Sequence, residues 1–310
     1  MRIRSIQGES VSVVGLGTWQ FGSREWGYGA SYALGTAAEL VKRAIERGVN
    51  LIDTAELYGF GASERIIGDA LREDAERDLR DDAFLATKFY PVVPIPAMMT
   101  THCYRSAQRL RVNQIDLYQL HFPNPVFPMS SQMSGARRLV ERGVVRKVGV
   151  SNYSLSAWQR ADRALGFPTF SNQVHFSLLK TAPLQELLPW AQTNDRLLIA
   201  YSPLEQGLLS GKYSPDSRPK DFRRLRPGFS ERGLRRIAPL IDLLRQVGQE
   251  VSASPAQVAL AWLLHHPNVV VIPGASSLGQ LDSNIDAASL ELNERQVSHL
   301  TEVAVSLNRP

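Results

Sequence analysis

Asp53 and Tyr58 follow the run Asn50-Leu51-Ile52, Lys88 closes Phe84-Leu85-Ala86-Thr87, and His121 closes the run from Ile115 to Leu120. A carboxylate, a phenol, an ammonium and an imidazole at the ends of three successive strand-like runs can together make a proton donor. When hydride reduces a carbonyl, negative charge develops on oxygen, and a proton must reach it near neutral pH. A free phenol, with a pKa near ~10, is a poor donor there. An ammonium close by favours the phenolate, so Lys88 is expected to lower the Tyr58 pKa toward the useful range. Asp53 would be the counter-ion that a buried ammonium needs, and His121 would hydrogen-bond and orient the substrate oxygen. Singly, each residue has a plainer role: Asp53 as a cap or turn residue, Tyr58 as a rim aromatic, Lys88 as a solvated strand end, His121 as a core histidine. Their coincidence on neighbouring strand ends, in roles that need one another, favours the joint reading.

The elements that must position these residues alternate along the chain. Ile3 to Val11, turning at Gly8-Glu9, reads as a small hairpin. Strands are then expected over Val13–Gly17, Asn50–Asp53, Ala83–Lys88, Ile115–Leu120, Val145–Val150, Ser171–Val174, Arg196–Tyr201 and Val269–Ile272. Helices are expected between them: Thr36 to Arg47, Ser63 to Arg72, Met99 to Leu110, Ser130 to Arg142, Ser154 to Leu165, Pro183 to Thr193, Leu234 to Glu250 and Ser254 to Leu264. Two more, Leu278 to Ala288 and Asn293 to Val305, follow the last strand. Thr36-Ala37-Ala38-Glu39 reads as a capping box, as does Ser254-Pro255-Ala256-Gln257 with its N1 proline. Gly48 suits the end of a helix. Short apolar strands without strict alternation, each followed by an amphipathic helix, imply a parallel sheet covered by helices. Eight such units make a closed (β/α)8 TIM barrel more economical than an open sheet, with the short N-terminal hairpin and extra C-terminal helices appended. The ends of all three runs would then face one mouth.

The chain has 310 residues, 44% of them hydrophobic, with no tract that reads as a linker, so a single domain is expected over 1–310. No apolar stretch suits a signal peptide or a membrane span, and the one cysteine, Cys103, fits a reducing compartment as a small buried side chain. A cytoplasmic location is the expectation. The formal charge is +5, but the segment Arg218 to Arg236 holds eight basic residues against two acidic ones. Outside it the balance is nearly neutral. A local anion clamp or a solvated loop fits that distribution better than a nucleic-acid face, which would need basic stripes or aromatic platforms. The six histidines show no ligand spacing with Cys or carboxylates, so no metal is expected.

The segments Gly15-Leu16-Gly17-Thr18-Trp19, Asn50 to Gly59, Ala86-Thr87-Lys88, Asp116 to His121, Gly149-Val150-Ser151-Asn152 and Tyr201-Ser202-Pro203-Leu204 resemble the aldo-keto reductase family, in that family's order. The resemblance implies the barrel, a nicotinamide cofactor bound without a Rossmann domain, and carbonyl reduction by Asp53, Tyr58, Lys88 and His121. Carried over by position, it puts Gly17, Thr18, Trp19 and Asp53 near the cofactor. Ser151, Asn152 and Gln173 would bind the carboxamide and Tyr201 would stack on the nicotinamide. Ser202, Pro203, Leu204, Gln206 and Gly207 would surround the pyrophosphate, with Lys212 and Arg223 or Arg224 adding charge. Gly274-Ala275-Ser276-Ser277 leads into a helix whose free N–H groups suit a phosphate. Ser276 and Gln280 resemble contacts to a 2′-phosphate, and Asn284 one to adenine.

Two departures bear on the cofactor: neither Gly274 nor Gln280 is cationic, and Ser283 stands where an acid is common. NADPH is the expected cofactor, with NADH possible, and Gln280 also suits an N3 partner of Ser277. Trp19, Tyr90 and Phe122, just beyond strands, with Trp26 and Tyr28 on a longer loop, are expected to wall an apolar pocket for a small aldehyde or ketone. A cofactor-binding redox sensor with little turnover and a Schiff-base lyase using Lys88 are the alternatives from other classes.

Overall fold

The computed structural model describes residues 1–21, 35–72 and 79–308. A hairpin, β1 (Ile3–Ile6) and β2 (Glu9–Ser12), precedes β3 (Leu16–Gly17), helix α1 (Ala37–Glu46), β4 (Leu51–Asp53) and α2 (Ala62–Ala70). The alternation continues with β5 (Phe84–Phe89), α3 (Pro96–Leu110), β6 (Ile115–Leu120), α4 (Met129–Glu141), β7 (Val145–Ser151), α5 (Leu155–Leu165), β8 (Ser171–His175), α6 (Leu187–Thr193) and β9 (Leu197–Tyr201). Helices α7 (Glu231–Glu250) and α8 (Pro255–Leu264) lead to β10 (Val269–Val271), and α9 (Leu278–Asp286) and α10 (Glu294–Leu307) follow it. The expected (β/α)8 architecture is present: β3 to β10 form one parallel eight-stranded sheet in sequential order.

The sheet closes on itself just before β3, its own first strand. Val14 bridges Val271 in parallel. Val271 N donates to Val13 O at 2.9 Å, Gly15 N to Val271 O at 2.8 Å, and Gly17 N to Pro273 O at 3.2 Å. The approach is close: a Cβ on Gly17 would lie 2.5 Å from Ile272 O.

Local chemistry explains several element ends. Ser254 and Gln257 form the expected reciprocal cap of α8, and Asn293 with Gln296 does the same for α10. Gly48 ends α1 at φ +79°, its N–H bonded to Ile45 O. The capping box read at Thr36 is not formed. Thr36 is itself helical (φ −64°, ψ −32°) and its side chain makes no capping bond, whereas a capping residue needs an extended backbone. The helix expected from Pro183 is also divided, into a short turn at Ala182–Leu184 and then α6.

Two apolar layers surround the sheet. Inside the barrel, Leu51, Phe84, Ala86, Leu117, Phe170, Leu197, Ile199, Val270 and Ile272 pack together, and Ile6 and Val11 of the hairpin join them. Outside, the helices bury their inner stripes against the strands. Helix α8 is buried at every position from Val258 to Leu264, which accounts for its continuous apolar run. Cys103 is fully buried, and burial first, then Glu64 and Glu56, pushes its thiol up to about 12.

Adding one methyl at the closing seam tests this packing. Gly17→Ala is expected to destabilise the fold by about 1–3 kcal/mol, the usual cost of overpacking, read as a lower urea midpoint at unchanged m. Wild-type stability would contradict the close approach.

Candidate active site

In a strand every second side chain faces the same way. Leu51 of β4 and Ala86 of β5 point into the barrel, so Asp53 and Lys88, two residues on, point into its upper end. Both are buried, with Lys88 wholly inaccessible. The Lys88 Nζ donates to Asp53 Oδ1 at 2.6 Å, to the Thr54 carbonyl at 2.8 Å and to the Tyr58 hydroxyl oxygen at 3.2 Å. An ammonium has three donors, and these contacts use all of them. The Tyr58 oxygen therefore accepts from Lys88, and its own proton is left to point elsewhere. Nζ also lies 4.9 Å from the centre of the Tyr58 ring.

The charges follow from these contacts. Burial works against the Lys88 charge, but Asp53 and Tyr58 outweigh it and hold the ammonium above its ordinary range. Burial pushes the Tyr58 phenol above its ordinary value, the Lys88 charge pulls it back, and Asp53 adds to the rise. This corrects the expected lowering. In the folded chain without ligand, the ammonium limits a rise caused by burial, and its own charge is partly spent on Asp53. His121 stands with its ring 6.0 Å from that of Tyr58. Burial, then Lys88, lowers its pKa to about 3, and its Nδ1 is buried without a protein partner. His121 is thus a neutral imidazole at physiological pH.

Further polar groups of the same layer support Asp53. Its Oδ2 accepts from Gln173 Nε2 at 2.7 Å and from Gln119 Nε2 at 3.5 Å, and Ser171 Oγ donates to Gln119 Oε1 at 3.4 Å. Gln173 was expected to face a carboxamide; here it is also part of the carboxylate's support. Gln119 was not singled out from sequence, although its place two residues before His121 puts it on the same face. Thr18 Oγ1 donates to the Asp53 carbonyl at 2.8 Å and meets Ser63 Oγ at 2.7 Å. Glu56, also missed, ties the Tyr58 loop to its neighbours: Oε1 accepts from Tyr90 N at 2.6 Å and Oε2 meets His102 Nδ1 at 2.7 Å.

The residues read as contacts to the carboxamide, the nicotinamide ring, the pyrophosphate and the 2′-phosphate lie in or after β7, β8, β9 and β10, four neighbouring strands of the sheet. Ser151 ends β7 and its hydroxyl donates to Gln173 O at 3.0 Å; Asn152 follows with a left-handed backbone (φ +62°). Tyr201 ends β9, donates to Asn152 Oδ1 at 2.9 Å and stacks on His175 at 5.1 Å. Ser202, Glu205, Gln206 and Gly207 all have positive φ, a conformation that glycine takes freely and that strains the other three. Pro203 and Leu204 lie within that loop. Arg223 donates to Gln206 O at 3.0 Å and is also paired with Asp221 at 2.6 Å, while the Lys212 ammonium lies over Tyr213. Other arginines of the basic segment hold the fold: Arg218 donates to Phe229 O and Arg224 O, and Arg235 pairs with Glu231.

Gly274 approaches Gln20 so closely that a Cβ there would lie 2.5 Å from Gln20 Oε1. Ser277 caps α9 by accepting from Gln280 N, as expected. The Gln280 side chain folds back instead onto Ser276, accepting from its N at 2.9 Å and its Oγ at 2.8 Å. Asn284 is largely buried and donates to Gly274 O at 3.4 Å.

Tyr90 and Phe122 meet edge to face at 6.2 Å, and Phe122 stacks on His121 at 4.6 Å. Trp19 is 42% exposed beyond β3. Trp26 and Tyr28 lie outside the described residues. A groove of about 500 Å³, lined among others by Leu57, Phe60, Tyr90, Val92 and Met98, shares Tyr90 with this rim but includes none of Asp53, Tyr58, Lys88 and His121. Among the described residues, no group of three or more His, Cys, Asp or Glu side chains could hold a metal. No helix among them is long and apolar enough to cross a membrane.

Residues 13–305 match the model of the Aldo/keto reductase family. The chain belongs to that family. An uncharacterized oxidoreductase of Mycobacterium tuberculosis (strain H37Rv) is 53% identical over 294 residues, covering 95% of this chain and 90% of that one. Among solved structures, a glycerol dehydrogenase of Gluconobacter oxydans is similar at a TM-score of 0.87 and 28% identity, covering 100% of this chain and 96% of that one. An aldo-keto reductase of Klebsiella pneumoniae, solved in complex with NADPH, is similar at a TM-score of 0.79 and 27% identity, covering 100% of this chain and 97% of that one.

The state of His121 is open to measurement. Its folded pKa is lowered from an ordinary 6.5 to about 3. Its contribution to stability is therefore complete above the unfolded value and is lost as pH falls through that window. The imidazole signals of His121, assigned by comparison with His121→Asn, are expected to stay those of the neutral ring from pH 8 down to about 5. Titration near the ordinary value would contradict the site's electrostatics.

Proposed function

We propose that this chain reduces aldehydes and ketones to alcohols with NADPH, and that Tyr58 supplies the proton. The observation that carries the reading is the use of all three Lys88 donors, the third on the Tyr58 oxygen. Bound NADPH would supply hydride from nicotinamide C4. Tyr58, accepting from Lys88, presents its O–H to the carbonyl oxygen; as the phenolate forms, the ammonium stabilises it. His121, neutral, donates a second hydrogen bond to the same oxygen and orients it. Asp53 keeps Lys88 charged and is itself held by Gln173.

The residues present fit the cofactor. Gln173 spends its amide N–H on Asp53, which leaves its oxygen to accept from a carboxamide, beside Ser151 and Asn152. The N-terminus of α9, with Ser276, suits a phosphate. That Gln280 already bonds Ser276 means that binding a 2′-phosphate there must exchange one set of hydrogen bonds for another. NADH acceptance therefore stays within the proposal. The Klebsiella relative's NADPH complex supports the choice of cofactor. Tyr90 and Phe122 beside His121 favour aromatic or other apolar aldehydes. A sensor role is disfavoured by the complete acid assembly.

The test is NADPH and NADH oxidation against a panel of aldehydes, with wild type and Tyr58→Phe. The variant is expected to lose at least ~100-fold in kcat, the lower range for a removed general acid, with NADPH affinity nearly unchanged. Tight cofactor binding with negligible wild-type turnover would favour the sensor instead.

A further inference from the structure

Nothing in the sequence singles out Glu205, yet two residues beyond the core of the neighbouring strand converge on one of its carboxylate oxygens. His175 Nε2 meets Glu205 Oε1 at 2.6 Å, and Ser177 Oγ donates to the same atom at 2.6 Å. His175 and Ser177 come from the end of β8 and the loop beyond it, and Glu205 from the loop after β9. His175 is the register neighbour of Tyr201 and stacks on its ring with only 19° between the planes. It therefore faces the mouth, two residues above Gln173.

The backbone at the clamp is unusual. Glu205, Gln206 and Gly207 have φ of +49°, +57° and +97° in succession, and only glycine takes such a conformation without strain. Such a turn persists only when its surroundings fix it. Here the carboxylate is tied on one side by His175 and Ser177, and the Gln206 carbonyl is tied on the other by Arg223 at 3.0 Å. The position also raises an electrostatic question. A carboxylate between Leu204 and Gln206 lies inside the loop read as enclosing a diphosphate, where an unspent negative charge would repel the ligand.

We propose that Glu205 is a positioning residue for the cofactor loop. Its carboxylate, clamped by His175 and Ser177, holds residues 205–207 in their left-handed turn and spends its charge on those partners rather than on the diphosphate. The proposal rests on reading residues 202–212 as the diphosphate loop. It gives His175 two tasks, fixing Glu205 and backing Tyr201.

The test is the NADPH dissociation constant, measured by fluorescence quenching at fixed ionic strength, for wild type, His175→Phe, Ser177→Ala and His175→Phe combined with Glu205→Gln. His175→Phe keeps a ring against Tyr201 but frees the carboxylate, and Ser177→Ala serves if that variant does not fold. Each single variant is expected to weaken NADPH binding by about tenfold, as for one lost charge-assisted hydrogen bond. The loss should appear in the KM for NADPH rather than in kcat. Glu205→Gln in the His175→Phe background should restore most of the affinity, because it removes the uncompensated charge; a purely structural clamp would show no such rescue. In the cofactor-free proteins, amide exchange at residues 206–208 should quicken in His175→Phe and Ser177→Ala. Unchanged affinity in both single variants, or no rescue in the double variant, would overturn the proposal. A wild-type chain with no NADPH affinity but a clear exchange response would overturn the reading of the loop itself.

Discussion

One ammonium organises the upper end of this barrel. Lys88 is taken wholly out of water, a cost that only close, well-directed partners can offset. Asp53, the Thr54 carbonyl and the Tyr58 oxygen take its three hydrogens, and the Asp53 oxygen facing away is held by Gln173. Each group fixes the next, so the phenol is oriented with its oxygen toward the cation and its proton toward the mouth. Tyr58 is thus aimed by a chain of hydrogen bonds rather than by packing alone.

The fold supplies the conditions for that ammonium. Beneath it, the barrel is filled by aliphatic and aromatic side chains, and the hairpin's Ile6 and Val11 belong to the same cluster. Such an interior has a low effective dielectric, which strengthens the Lys88–Asp53 pair and also depresses the His121 pKa to about 3. Above it, the strand ends bring Gln119, Gln173 and Ser151 into one polar layer. The loops carry the strain, gathered in Asn152, Ser202, Glu205 and Gln206, where ligand groups would have to approach the backbone.

Much of this was legible in the sequence because it follows from period and position. Short apolar strands alternating with helices indicate the parallel barrel, and period two along β4, β5 and β6 turns Asp53, Lys88 and His121 to one face. The reciprocal cap at Ser254 follows from side-chain chemistry, and the terminating Gly48 from a glycine's freedom at positive φ. What escaped depends on three-dimensional context. Thr36 has the right composition for a cap but the wrong backbone. The sign of the Tyr58 shift turns on how deeply the phenol is buried, which no spacing reveals. The Gln280 backbone N–H takes the Ser277 cap while its side chain turns to Ser276, a matter of rotamer. Glu205 and His175, 30 residues apart, meet only because β8 and β9 pair in a register that a linear reading does not fix.

The central claim is that the Lys88 charge acts directly on the Tyr58 proton. It is tested most directly by titrating the Tyr58 phenol itself, with 13Cζ-labelled tyrosine followed by NMR in wild type and in Lys88→Met. The account requires a phenol above the ordinary tyrosine value in wild type and higher still once the ammonium is gone, since burial then acts unopposed. A Tyr58 pKa that is unchanged or lower in Lys88→Met would show that the ammonium does not govern the proton.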